Sequence, residues 1–372
     1  MAAAGEIPAP SVPAPPRPGG LASRDATQYP TASERYATGA PAGASQYEET
    51  RTSGTRMHMG GGLHIPGASS LYSILGLLLL LAGILCLVMP YRLTDIFFRG
   101  ERKYYDVIFE ELWRILAATL FSAAITAYAL KVSSDRRVLN DPVVQRLQLG
   151  FFWFALLAVA IHLIHVLFIK SLTLWGLLLG ATIMAPTLLL PTAHLGMSGG
   201  FGLAVAADSV SDALGNVFAP RRVTFSGVLY SLLTVLFAVV GLGYIILPKL
   251  TLKWALGYHA GKRAIFLWQW IGSGMLFLFP AITYTCLERG IQGALWGTVP
   301  KTLNVALLVA SLFHILEFGS VLSTEGISGR WLLPVSLGHW VATLLASILG
   351  LSAEEPTAAY EYEPLRGEPA MV

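Results

Sequence analysis

The sequence predicts an all-α integral membrane protein: eight transmembrane helices arranged as two parallel four-helix repeats behind a disordered N-terminal tail. Three observations lead there. The 372-residue chain is 54% hydrophobic and only 13% charged, about half the charged fraction of an ordinary soluble domain, with a mean hydropathy of +0.61. Its apolar residues gather into eight stretches of about twenty residues, the length of helix that covers a hydrocarbon layer of about 30 Å. The chain also aligns with itself at an offset of 158 positions.

Residues 1–66 are built from Ala, Pro, Gly, Ser and Thr without apolar periodicity, a composition that cannot repay its ordering entropy. They lack the apolar core of a secretory signal, and Glu6, Asp25, Glu34, Glu48 and Glu49 argue against a transit peptide, so the first span is expected to act as the targeting signal. Pro13-x-x-Pro16-Arg17 is compatible with a polyproline ligand, with plain linker as the simpler reading.

The first span, Leu71–Pro90, holds no charged residue. Further spans are expected at about 108–130, 147–169, 172–195, 225–248, 264–286, 301–322 and 331–351. In lipid an isolated segment closes its N–H and C=O groups only within itself, which makes these helices; the alternating ten-residue strands of a barrel are absent from the sequence. Pro186, Pro191, Pro280 and Pro334 fall inside spans and are expected to bend them, the alternative being broken helices around a ligand.

At the offset of 158, Leu71-Tyr72-Ser73 meets Leu229-Tyr230-Ser231, Gly83 meets Gly241, Pro90 meets Pro248, and seven of twenty positions agree. Pro142 also meets Pro300, and a one-residue slip pairs Trp113 with Trp270. Each copy holds an even number of spans, so a tandem duplication gives copies of like orientation. Residues 67–196 and 225–351 are then the two bundles. Residues 197–224 form a linker whose apolar positions and Asp208, Asp212 and Asn216 fall on different helical faces, as in an interfacial helix. Residues 352–372 form an acidic tail expected to be disordered.

A net charge of +3 without a Lys/Arg block excludes a nucleic-acid partner. Cys86 and Cys286, both in apolar surroundings, read as small fillers and support no disulfide framework. Lys and Arg divide almost evenly between the two sides, so the positive-inside rule is silent. Cytosolic termini are favoured by the long polar N-terminal tail and by the lack of an Asn-x-Ser/Thr acceptor, in the endoplasmic reticulum or the plasma membrane. Tyr362-Glu363-Pro364-Leu365 has the form of a tyrosine-based trafficking signal.

Two pairs of ionisable residues stand inside spans, His162 with His165 in the third and His314 with Glu317 in the seventh, and His339 stands within the eighth. A spacing of three puts each pair on one helix face. Intramembrane ionisable groups mark function by default. Three readings follow: polar contacts between helices, a proton or ligand site, or, if the two pairs converge, a metal site. Glu110 and Arg114 form an i,i+4 pair near an interface and read as an anchor. Trp175, Trp268, Trp270 and Trp331, with Tyr104 and Tyr105, lie at span ends and fit an aromatic belt. The glycines after His194 carry no phosphate-loop Lys, and neither a Gly-x-Ser-x-Gly elbow nor a His-Glu-x-x-His motif occurs. No cofactor is called for.

Gly83…Pro90, Arg114 and His165 together make the four-span unit resemble the small DoxX-like four-helix membrane proteins. His314 and Glu317 are similar to a short stretch of a sterol-biosynthesis scaffold family of the endoplasmic reticulum. The resemblance implies accessory or binding roles. The resulting expectation is a non-enzymatic protein that binds lipid or partner membrane proteins, with a proton or small-solute carrier and a lipid-modifying enzyme as alternatives.

Overall fold

The computed structural model describes residues 67–99, 107–198, 224–257, 261–325 and 330–354, with a few positions between 211 and 219. The N-terminal tail, nearly all of the 197–224 linker, the acidic tail beyond 354, and Tyr104 and Tyr105 lie outside the described residues. The described residues are helical apart from short joints, and eight helices are long and apolar enough to cross a membrane. In chain order the elements are α1 (Ala68–Val88), α2 (Pro90–Phe97), α3 (Val107–Asp135), α4 (Pro142–Leu167), α5 (Leu174–Ser198), α6 (Phe225–Ile246) and α7 (Pro248–Leu256). Then follow α8 (Lys262–Ile291), α9 (Thr298–Glu325) and α10 (Leu332–Leu351). All but α2 and α7 are the spans.

Proline and caps set several boundaries. Pro90 and Pro248, expected to end the first and fifth spans, instead open the short helices α2 and α7. A proline tolerates the first helical turn, where its missing N–H has no intrahelical partner, but it cannot continue the helix before it. Pro142 opens α4 behind Asp141, whose side chain accepts from Val143 N at 2.9 Å. Thr224 caps α6 by accepting from Gly227 N at 3.2 Å. Pro334 falls in the first turn of α10, so it removes no helical bond there, contrary to the expected bend. Pro280 does interrupt its helix: the turn just before it, Gly274–Leu278, is π-helical.

All described spans belong to one compact unit, residues 58–372. Within the first segment α1 packs on α3 and α4 on α5; within the second α6 packs on α8 and α9 on α10. The larger contacts between segments are crossed, α3 on α9 and α4 on α8. α3 and α8 stand at the centre, with 78% and 67% of their apolar windows buried against 33% for α1. α1 turns Ile74, Leu77, Leu81, Ile84 and Val88 outward, as a helix solvated by lipid should.

Lipid tails are as apolar as leucine, so helices associate through close packing and interhelical hydrogen bonds. Small side chains make the close packing here. Ala118, Ser122 and Thr126 recur every fourth residue on α3 and are fully buried, and Ser122 Oγ donates to Ala306 O of α9 at 3.1 Å. The glycines that align at the 158 offset differ in what they touch: Gly83 lies against the Phe121 ring, Gly241 against the backbone of Met275 and Leu276 in the π turn. A ring can rotate away, whereas a helix backbone cannot. Gly241→Ala is therefore expected to destabilise by about 1–3 kcal/mol and Gly83→Ala by less. The apparent Tm of the two variants in detergent checks this ordering.

Candidate functional site

The two intramembrane pairs of ionisable residues are divided between two interfaces. α4 packs on α5 and α8, and α9 packs on α3 and α10, so the first pair faces α5 and α8 while the second faces α3 and α10. No group of three or more His, Cys, Asp or Glu able to hold a metal occurs among the described residues.

His165 is fully buried and fully bonded. Its Nε2 lies 3.2 Å from Gln269 Oε1 and its Nδ1 2.9 Å from Ser171 Oγ. An amide oxygen only accepts, so the imidazole donates from Nε2 and receives the serine proton at Nδ1. Gln269 passes the chain on by donating from its Nε2 to Ile245 O at 3.1 Å. On the other interface Glu317 Oε2 lies 3.9 Å from Arg114 Nη1, and Arg114 also bonds Glu110. The expected Glu110–Arg114 pair is thus present and extends to a third charge on α9. Tyr91, on α2 outside the spans, donates to Glu110 at 2.7 Å, and that hydrogen bond holds its phenol above the ordinary pKa.

Gln269 stands 155 positions after Arg114 and Glu317 stands 152 after His165; the α3–α9 contact is charged and the α8–α4 contact neutral. A correspondence between the segments appears in the tryptophans. Trp113 Nε1 donates to Thr94 at 2.8 Å and Trp268 Nε1 to Thr251 at 2.9 Å. The bond links α3 to α2 and α8 to α7, and it pairs Trp113 with Trp268, where the sequence slip paired it with Trp270. Both Trp268 and Trp270 are buried, which corrects their assignment to an aromatic belt; Trp175 and Trp331 are exposed at span ends, as a belt requires.

His162 and His314 share a different geometry. Each directs Nδ1 to the carbonyl four residues earlier, Ala158 at 2.7 Å and Ala310 at 2.8 Å, so each donates from Nδ1 and leaves Nε2 bare. Both Nε2 atoms are buried with no hydrogen-bond partner among the described residues. His162 sits edge-on to Trp270, ring centroids 4.5 Å apart, with Gly180 of α5 close against its Nε2 edge. His314 stacks on Trp340 at 3.7 Å.

Sequence reasoning missed a set of clamps where α4 begins and α8 ends. Arg146 donates to Tyr284 at 2.7 Å and to Glu288 at 3.0 Å, and Arg289 donates to Asp141 at 2.7 Å. Their partners are separated by about 140 residues of chain, beyond any local pattern. Also unforeseen is a lipid-facing cavity of about 240 Å³. Leu81 and Leu85 of α1 and Leu179 and Thr182 of α5 form its mouth, while Leu93 and Phe97 of α2, Trp113 of α3 and Trp270 of α8 form its inner wall. The lining is carbon almost throughout.

No family model, no curated protein and no solved structure matches this chain.

Gln269→Leu would leave a buried donor on His165 without its acceptor, a loss of about 1–3 kcal/mol. The expected readout is a lower Tm in detergent. On the other interface, replacing Arg114 and Glu317 together by Leu should cost less than the sum of the single changes, because Arg114→Leu alone leaves Glu317 without its partner charge, whereas Glu317→Leu leaves Arg114 paired with Glu110. A double-mutant cycle on thermal stability checks it.

Proposed function

We propose that this polytopic membrane protein works by binding membrane lipid, as a scaffold or accessory subunit without a reaction of its own. The observation that carries this reading is the contrast between the two kinds of site. His165, Glu317, Glu110 and Arg114 are taken up in contacts between helices, whereas the cavity open to lipid is apolar and bounded by side chains from four helices and α2. An apolar cavity larger than the roughly 150 Å³ that suffices to hold benzene stays dry and favours a hydrocarbon guest. Lipid-facing walls make bilayer components the guests at hand.

The tandem duplication and the DoxX-like character of each unit belong with this reading. The repeated Trp–Thr bonds and the crossed α3–α9 and α4–α8 packing support the duplication. Cytosolic termini and residence in the endoplasmic reticulum or plasma membrane complete the proposal, and partner membrane proteins would dock on the exposed apolar helices.

A proton or small-solute carrier is the second reading, favoured by the bare Nε2 atoms of His162, His194, His314 and His339. The two readings separate in proteoliposomes. The lipid-binding reading expects a lipid that survives detergent exchange in native mass spectrometry, and proton flux no greater than in empty liposomes between pH 5 and 8. His165→Ala should then lower stability and change no flux. Flux that His165→Ala or Glu317→Gln abolishes in a folded protein would replace it with the carrier reading.

A further inference from the structure

The slot between α1 and α5 is closed at one end by α2, which contributes Leu93 and Phe97 to its lining. Past Phe97 the chain runs extended, and Phe98 forms an antiparallel bridge with Leu172 in the joint between α4 and α5. Arg99 N donates to Ser171 O at 3.1 Å and Thr173 N to Phe97 O at 2.7 Å. These backbone bonds bring Arg99 beside Lys170. Arg263, in the first turn of α8, donates from its guanidinium to the carbonyl of Arg99. Three cationic residues far apart in sequence are thus gathered at one joint, and Arg92 adds a fourth on α2. Arg92, Arg99 and Lys170 are exposed. None of the four forms a salt bridge among the described residues. The acids nearby are engaged: Glu110 holds Arg114 and Tyr91, and Asp95 and Glu111 have interactions of their own. At the opposite end of the spans, by contrast, Lys131 meets Asp135, Arg146 meets Glu288 and Arg289 meets Asp141. Positive charge is left unmatched at the joint that closes the slot.

The dimensions of the slot relate that charge to a guest. Its α1 wall runs from Leu78 to Cys86, about 12 Å of helix, most of the roughly 15 Å of hydrocarbon in one leaflet. The wall stops two residues before α1 ends at Val88. On α5 the mouth residue Leu179 lies about 8 Å along the helix from its start at Leu174. A hydrocarbon chain lying in the slot therefore runs lengthwise through one leaflet and leaves it at the level of α2 and the α4–α5 joint. The carbon lining selects for a chain and is blind to what the chain carries. Arg99 and Lys170, where the chain emerges, are not: guanidinium and ammonium groups bind phosphate, and a neighbouring choline or ethanolamine charge opposes them.

We infer that the slot and the basic joint together bind one anionic phospholipid, an acyl chain lying between α1 and α5 and the phosphate against Arg99 and Lys170, with Arg92 and Arg263 adding to the positive field. The inference rests on the lipid-binding reading above and specifies its ligand. A sterol or a neutral lipid fills the slot but gains nothing from the joint.

The test uses the full-length protein in detergent, given equal amounts of phosphatidylglycerol and phosphatidylcholine with identical acyl chains and read by native mass spectrometry. Phosphatidylglycerol should be retained about fivefold or more over phosphatidylcholine, the worth of one basic residue near a membrane surface. Arg99→Gln combined with Lys170→Gln should bring that ratio towards one while both lipids still bind. Arg136→Gln combined with Arg137→Gln removes as much charge at the far end and should leave the ratio unchanged. Thr182→Trp, at an exposed position of the mouth, should lower retention of both lipids while leaving the Tm near that of the parent. Equal retention of the two lipids by the parent, an unchanged ratio in a folded Arg99→Gln, Lys170→Gln protein, or an equal fall in the far-end variant overturns the anionic ligand and leaves a slot indifferent to headgroups, with the lipid-binding reading intact. Phosphatidylglycerol retention that survives Thr182→Trp overturns the seating of its chain in the slot, and the inference with it. Loss of every lipid on detergent exchange removes the lipid-binding reading as well.

Discussion

The close approach of α3 to α9 and of α4 to α8 is the constraint on which the rest of the molecule depends. In hydrocarbon each helix closes its own backbone hydrogen bonds, so backbone pairing cannot specify which helices become neighbours. Side-chain volume must do so. The buried small residues of α3, Gly150 of α4 against Ala281 of α8, and Gly274 against Thr119 remove bulk where two helices meet. Long side chains then fill what lies to either side, and the outer helices are left to face lipid.

Once those contacts exist, the polar groups inside the spans acquire partners on the opposite segment. Arg114 meets Glu317, Gln269 meets His165, Arg146 meets Glu288 and Arg289 meets Asp141. Each of these bonds joins the first segment to the second. Their net stabilisation is modest, since desolvation opposes the attraction, but leaving one member alone is costly. Such contacts discriminate against misregistered packing more than they deepen the native well. Against this background the Nε2 atoms of His162, His194, His314 and His339 and Nε1 of Trp270 stand apart, buried with no hydrogen-bond partner among the described residues.

Much of the fold was legible in the sequence because hydropathy reports directly on the solvent of a helix. The charge-free run after Leu71 gives α1 whatever its neighbours are. What was not legible depends on contacts between distant residues. The prolines at 90 and 248 read as span ends, yet each opens a short helix whose threonine receives a tryptophan N–H from the following span. Composition placed Trp268 and Trp270 at a membrane surface, since tryptophan near a span end usually lies there; the close packing of α8 among α3, α4 and α6 buries them instead. The spacing of His162 and His165, and of His314 and Glu317, correctly put each pair on one helix, but spacing carries no information on which helix faces it. The Glu110–Arg114 pair was legible because its partners are one turn apart. Its extension to Glu317, some 200 residues along, was not.

Crossed packing is tested most directly by a cross-link between α3 and α9. With Cys86 and Cys286 replaced by Ala, Ser122→Cys and Ala306→Cys would be joined by a short thiol-specific linker in native membranes, and the chain then cut at a protease site inserted in the 197–224 segment. Crossed packing gives a product that remains a single band on a denaturing gel, because the linker ties the two segments together. Two separated fragments under conditions that join another cysteine pair across α1 and α3 would contradict it.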